Sequence, residues 1–435
     1  MVRRNLGLLA GALTLLLAAA CSRTPAPGSG GGASTPFGDG VARTWYVSNV
    51  ADPGEADGSL ATPFVSLAAA VKAADGDDVI YLFAGDGSNR NQAEGVTLES
   101  GQQLIGQGVA FRDLAAGGAP LIGNSHGPGI ELARDNVVMG VRVEGSAGAG
   151  ITGRNVGNLR LVGVEISGNA REGLLLTVNG DSQASIELRD VMVSRNQGIG
   201  LRLVTGGAAT TSFSLSGSIL EENLGNAVQL DYGGSGSGTF TISDNPSISS
   251  LGSSGVRVFV SGGADQFIQG RIERNTITSS DPATAGNGVA VINEGDATAV
   301  VMVADNIAHN FGSYGIDVGS RGGAGVLEAT VKGNTVADPA AFALAGMRLS
   351  AGNGTPGESS TLCLDLQGNT TVTGELPGYL QRQRPGASFH LNGFAGQDSS
   401  AGVVESFVTS RNTGSVSVSA AGSGYAAGGC RTPSF

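Results

Sequence analysis

The sequence predicts an all-β chain wound as a single-stranded, right-handed parallel β-helix, with a helical cap at its N-terminal end and a small cap at its C-terminal end. Two observations carry this. A glycine-led apolar–x–apolar unit recurs as Gly173-Leu174-Leu175-Leu176, Gly200-Leu201-Arg202-Leu203, Ala227-Val228-Gln229-Leu230 and Gly255-Val256-Arg257-Val258. It continues as Gly288-Val289-Ala290-Val291, Gly315-Ile316-Asp317-Val318 and Gly346-Met347-Arg348-Leu349, so the positions 173, 200, 227, 255, 288, 315 and 346 give steps of 27, 27, 28, 33, 27 and 31. Second, Asn169, Asn196, Asn223, Asn245, Asn275, Asn306, Asn334 and Asn369 are each preceded at minus three by an aliphatic residue: Ile166, Val193, Leu220, Ile242, Ile272, Val303, Val331 and Leu366. A period in this range marks a solenoid with one supersecondary unit per repeat. Apolar–x–apolar is strand periodicity, because alternate side chains point to opposite faces. Asparagine tolerates the left-handed backbone of a tight corner. Strand, asparagine corner, strand, about 27 residues on: that is one coil.

Composition agrees. Gly makes up 73 of the 435 residues, which alone would suggest disorder, but a chain that repeatedly hides one apolar row is folding. Charged residues are 14%, which suits short strands linked by small-residue corners. The net charge of −12 argues against a nucleic-acid partner.

Taken in order, residues 1–21 are a targeting segment. Arg3 and Arg4 are followed by an apolar stretch too short to span a bilayer. Ala18-Ala19-Ala20-Cys21 resembles the lipobox of bacterial lipoproteins, with Leu17 one place further from the cysteine than is usual. The resemblance implies lipidation at Cys21, which leaves Cys363 and Cys430 as an even pair in an oxidising compartment. The expected location is therefore the cell envelope, at the outer membrane if the host has one, with a soluble secreted product as the alternative. Residues 22–40 read as a flexible Gly/Ser/Pro tether.

Residues 41–95 should hold the N-terminal cap and the first strands. Trp45-Tyr46-Val47 opens it, Pro63 stands at a helix start, and Phe64, Leu67, Ala70, Val71 and Ala74 form an apolar stripe at helical spacing. Val79-Ile80-Tyr81-Leu82 follows as a strand. A solenoid's first coil exposes an apolar end and open strand edges, and something must cover both. This order resembles the cap of many bacterial β-helices, and from about Thr44 to Thr373 the chain resembles the pectin-lyase-like superfamily. That resemblance is specific for fold and weak for activity.

Residues 96–373 should be the coils, ten or so of them, making a rod roughly 50 Å long at about 4.8 Å per coil. After Asn169, Asn196 and Asn223 the next glycine slot comes four places on; after the later asparagines it comes nine to thirteen places on. Insertions are therefore expected at 246–254, 276–287, 307–314 and 335–345, stacked on one side. Residues 374–435 read as the C-terminal capping segment. The strand Cys363-Leu364-Asp365-Leu366 should be the last of the coils, with short strands around 389–391, 403–408 and 416–418 beyond it. A Cys363–Cys430 disulfide would pin this cap.

Chemistry on such a scaffold needs outward residues from neighbouring coils, and hydrolysis needs a carboxylate pair. The outward row of the glycine-led strand reads Leu175, Arg202, Gln229, Arg257, Ala290, Asp317 and Arg348, with no two adjacent acids. The row four before each asparagine reads Glu165, Met192, Ile219, Thr241, Arg271, Met302, Thr330 and Asp365, again without a pair. Arg202, Gln229, Arg257, Asp317 and Arg348 form a candidate ligand-binding row, since forked guanidinium bonds suit acidic sugars. Gly123-Asn124-Ser125-His126-Gly127 matches a nucleophile-elbow pattern but lacks the following helix. Gly233 to Gly238 resembles one calcium-binding repeat whose aspartate slot holds glycine. His126, His309 and His390 stand alone, so no cofactor or metal is expected, and no catalytic residue is assigned. The expectation is a monomeric, non-catalytic surface lipoprotein, adhesin-like or polysaccharide-binding, or an envelope scaffold partnered by another surface protein. The alternative is a lyase or hydrolase acting on an acidic polysaccharide.

Overall fold

The computed structural model describes residues 42–279, 286–395, 398–420 and 424–433. The signal segment with Cys21 and the tether lie outside them. Among the described residues, three parallel sheets of fourteen, twelve and ten strands run the length of a right-handed parallel β-helix. One coil gives Leu174–Val178 to the twelve-stranded sheet, Gln183–Arg189 to the fourteen-stranded sheet and Met192–Ser194 to the ten-stranded sheet. The next coil stacks on it with Leu174 opposite Leu201, Gln183 opposite Thr210 and Met192 opposite Ile219. At about 4.8 Å per strand, fourteen strands make a rod roughly 60 Å long.

The inward rows form one continuous core. Leu174, Leu201, Val228, Val256, Val289, Ile316 and Met347 stack at 1% exposure or less. The glycine slots before them are crowded: a Cβ on Gly315 would meet Val336 Cγ1 at 2.3 Å, and one on Gly173 would meet Val193 Cγ1 at 2.5 Å. Glycine is needed there for close approach, not for an unusual backbone.

Both ends are plugged. Helix α1, Leu67–Ala73, is capped by the Ser66 side chain and buries Leu67 and Ala70. The edge of the first strand, Thr44–Val47, is covered by residues 58–64: Tyr46 N–H donates to Gly58 O, and Phe64 N–H to Tyr46 O, both at 2.8 Å. At the other end, helix α2, Ala401–Thr409, buries Val404 and Val408. The sequence reading places a strand there, because valines favour strands. The i, i+4 spacing of Val404 and Val408 instead serves a helix that closes the apolar end. The strand Thr361–Gln367 is likewise not the last. Tyr379–Gln383, Ser388–Asn392, Val416–Ala420 and Tyr425–Gly428 extend the same parallel sheets, so coils continue beyond 373. Cys363 and Cys430 are joined by a disulfide.

The asparagines depart from expectation in two ways. The left-handed residue at each corner is the one before the asparagine. Gly168, Arg195, Glu222, Asp244, Arg274, Asp305, Gly333 and Gly368 have φ between 54° and 67°. The asparagines are instead buried and bonded in ladders. There are also two ladders, at different corners. Asn169 Nδ2 donates to Asn196 Oδ1, and Asn196 Nδ2 to Asn223 Oδ1, each at 2.9 Å, where the ten-stranded sheet turns into the twelve-stranded one. The second ladder lies where the fourteen-stranded sheet turns into the ten-stranded one. It runs Asn245, Asn275, Asn306, Asn334, Asn369 and on to Asn412, with steps of 2.7–3.0 Å. Asn245 aligns with Ser218, whose N–H donates to Asn245 Oδ1 at 2.9 Å, while Asn223 faces Ser250.

So Ile166, Val193 and Leu220 belong to one sheet, and Ile242, Ile272, Val303, Val331 and Leu366 to another. The expected insertions each hold the third strand of their coil, and residues 280–285 of the second lie outside the described residues. These strands are Ser247–Ser250, Thr276–Ser279, Ile307–His309 and Thr335–Ala337. The clue is in the spacing: 245 − 223 is 22, shorter than every other step.

Candidate functional site

The outer face of the twelve-stranded sheet gathers the arginines. Leu175, Arg202, Gln229, Arg257, Ala290, Asp317, Arg348 and Leu380 stand opposite one another in successive coils. Two residues on, the same strands present Thr177, Val204, Asp231, Phe259, Ile292, Gly319, Ser350 and Arg382. Residues i and i+2 share a face, so these rows form one surface.

Two carboxylates organise this face. Asp231 lies between Arg202, whose Nε and Nη2 approach Oδ2 at 3.0 Å, and Arg257, whose Nη1 lies 3.3 Å from Oδ1. Gln229 Nε2 donates to both oxygens of Asp231, at 2.9 and 2.7 Å, and Gln229 Oε1 accepts from Asn226 at 2.5 Å. The Arg257 guanidinium also covers the Phe259 ring at 4.4 Å.

Asp317, with only 2% of its side chain exposed, is held harder. It accepts from Arg321 Nη2 at 2.6 Å and Arg348 Nε at 2.8 Å, with Arg348 Nη2 on its second oxygen. Arg348 stacks over the Tyr314 ring at 4.3 Å, and Arg321 Nε donates to Ser350 Oγ at 3.1 Å. Burial opposes the Arg348 charge, but the Asp317 carboxylate outweighs it and holds its pKa above the ordinary arginine value. Next to this cluster, Arg321, Arg348, Arg382, Arg384 and Glu294 line a cleft of about 310 Å³. The Arg382 and Arg384 guanidiniums make no ion pair or hydrogen bond among the described residues.

Chemically, this face offers cations and shielded anions. A general acid or base must be free to exchange its proton with substrate. Asp231 and Asp317 are each saturated by two arginines. They sit three coils apart, about 14 Å, beyond the roughly 5–9.5 Å that separates the carboxyls of glycosidases. The row four residues before each asparagine is broken by the ladder switch. Glu165, Met192 and Ile219 face out from the ten-stranded sheet, and Thr241, Arg271, Met302, Thr330 and Asp365 lie on the fourteen-stranded sheet. Asp365 pairs with Arg411 at 3.3 Å. Ser125 Oγ contacts His126 Nδ1 at 2.8 Å, but this loop joins the strands Leu121–Ile122 and Ile130–Leu132, with no helix to form an elbow.

The five residues of the expected row are thus on one surface, in register. The sequence reading missed Asp231, Arg382 and Arg384. For Asp231 and Arg382 the signal was present, two places after a row residue in the same strand. Arg321 and Tyr314 come in from the corners and are placed by coil stacking.

No family model matches the chain, and no curated protein does. Among solved structures it is similar to the A-module of Azotobacter vinelandii mannuronan C-5 epimerase AlgE6, at 16% identity over 83% of this chain and 94% of that one, with a TM-score of 0.38. It is similar to the GH136 lacto-N-biosidase from Eubacterium ramulus, at 13% identity over 80% of this chain and 68% of that one, TM-score 0.33. It is similar to pectate lyase Pel9A, at 12% identity over 89% and 78% of the two chains, TM-score 0.32. These likenesses concern the fold alone.

Proposed function

We propose that the protein is a non-catalytic, cell-surface lipoprotein, anchored through Cys21 and tethered by residues 22–40, that binds an acidic polysaccharide on the face of the twelve-stranded sheet. One observation carries this reading. The aspartates of that face are already neutralised by arginine, while Arg382 and Arg384, next to the Asp317 cluster, form no ion pair among the described residues. The surface therefore offers forked donors to an incoming carboxylate or sulfate in a chain whose net charge is −12. An anion gains there without displacing an existing pair.

The test is affinity electrophoresis of the full protein, solubilised in a neutral detergent, in gels containing soluble acidic or neutral polysaccharides, with reducing and unsaturated ends assayed in parallel. Wild type should be retarded by an acidic polymer and release no new ends. Arg382→Ala/Arg384→Ala should weaken retardation at least five-fold with an unchanged melting temperature, because neither side chain is used internally. Retardation should also fall with salt, since exposed charge is screened. New chain ends from any polymer would overturn the non-catalytic reading in favour of a lyase or hydrolase. Equal retardation of the double variant would remove the assigned surface.

A further inference from the structure

We propose that the outer face of the fourteen-stranded sheet carries a second ligand groove, which takes an uncharged, hydroxyl-rich polysaccharide strand laid along the solenoid axis, and whose far half is occupied by the chain's own C-terminal tail. This is independent of the arginine face, which lies on another sheet. Two adjacent outward rows define the groove. Gln183, Thr210, Ser237 and Phe267 are in register, and so are Ser185, Ser212, Thr239 and Gln269.

The first part of these rows borders a cavity of about 350 Å³ with Arg134 at its end. From Gln183 to Thr239 every outward side chain in the two rows is neutral and can both donate and accept. Coils repeat every 4.8 Å or so, so an extended saccharide meets a fresh hydroxyl or amide at each step. The two rows give a polyanion no cation from Gln183 to Thr239, Arg134 standing only at the cavity's end, whereas a neutral sugar finds a hydroxyl or amide partner at each coil.

The chain's own C-terminal segment already holds to the remainder through Cys430 and Arg431. The second row continues through Val300 and Glu328 to Cys363. Cys430 is bonded to Cys363, Arg431 donates its backbone N–H and its Nε to Glu328, the latter at 2.6 Å, and its guanidinium lies 6.0 Å above the Phe267 ring. Arg431 thus reaches back across the coils to one edge of Phe267, whose side chain stays 37% exposed and is the surface of these rows a sugar ring would stack upon.

The experiment uses the full protein in neutral detergent and two neutral glucans, hydroxyethylcellulose and dextran, again by affinity electrophoresis. Wild type should be retarded by at least one. Ser212→Tyr, which fills the cavity, and Gln183→Ala should each weaken that retardation several-fold, while Arg382→Ala/Arg384→Ala leaves it unchanged. Freeing the tail by Cys363→Ser/Cys430→Ser/Arg431→Ala should tighten binding, and adding Phe267→Ala should cancel the gain. No retardation by either glucan, or full retardation of both Ser212→Tyr and Gln183→Ala, overturns the groove. Unchanged affinity on freeing the tail overturns its place in it. Because the arginine variant is silent here, failure of this groove and failure of the acidic site are read separately.

Discussion

At the scale of single residues, the core rows bear the fold. Ile272 and Val303 are fully buried, each stacked on the aliphatic residue of the coil before and after. A carboxylate at either place would be an unpaired charge in an apolar column. Ile272→Asp and Val303→Asp should each cost on the order of 4 kcal/mol or more, and circular dichroism should show loss of the cooperative thermal transition. A wild-type melting curve for either would contradict the register. The corner charges behave differently. Asp244 is held below the usual carboxylate range by its hydrogen bonds from Arg274, yet both groups are solvated and contribute little to stability.

At the scale of elements, the asparagine ladder and the loops between strands can be separated experimentally. Asn306 donates to Asn334 Oδ1 at 3.0 Å and to Ile272 O at 2.8 Å, and accepts from Asn275 Nδ2 at 3.0 Å. Asn306→Ala leaves buried donors and acceptors without partners, and urea unfolding should show a loss of about 2–3 kcal/mol. The loop after Ala345–Ala351 is folded around Glu358. Its carboxylate accepts from the backbone N–H groups of Gly322 at 2.6 Å, Asn353 at 2.9 Å and Gly354 at 3.0 Å, and from Ser360 Oγ at 2.8 Å. Burial opposes ionisation, but the donors of Asn353 and Gly322 win and depress the pKa. A depressed carboxylate adds stability that is present above its unfolded value, about pH 4.3, and is lost as pH falls through the folded one. Wild type should therefore lose stability below about pH 4, and Glu358→Gln should be less stable at neutral pH with a flatter acid limb. Parallel acid limbs for the two proteins would show that Glu358 does not titrate in this way.

At the scale of the whole molecule, a solenoid opens from its ends, since each coil contacts only its neighbours. The Cys363–Cys430 disulfide ties the last coils back across 67 residues of sequence. On the chain-entropy account its loss costs about 4 kcal/mol. Cys363→Ser/Cys430→Ser should melt at lower temperature, with the earliest amide exchange in the strands Val416–Ala420 and Tyr425–Gly428. Uniform exchange along the rod would place the weakest point elsewhere.

The period, the solenoid, the inward aliphatic rows and the register of Arg202, Gln229, Arg257, Asp317 and Arg348 were legible in the residues alone. All of these follow from alternation within a strand and repetition between coils, which are local properties. What stayed hidden depends on which coil lies against which corner. Eight asparagines with the same local spacing read as one row, because two different corners need the same buried amide. Only stacking revealed that Asn245 faces Ser218 and that the ladder had changed corner. Val404 and Val408 read as strand because valine propensity is local, and only the open apolar end makes a helix there the better solution. Asp317 read as one member of an outward row and Asp231 was not singled out; only the folded chain brought two arginines to each and left Arg382 and Arg384 without an ion pair among the described residues, because pairing is set by distances between coils, which no single strand contains.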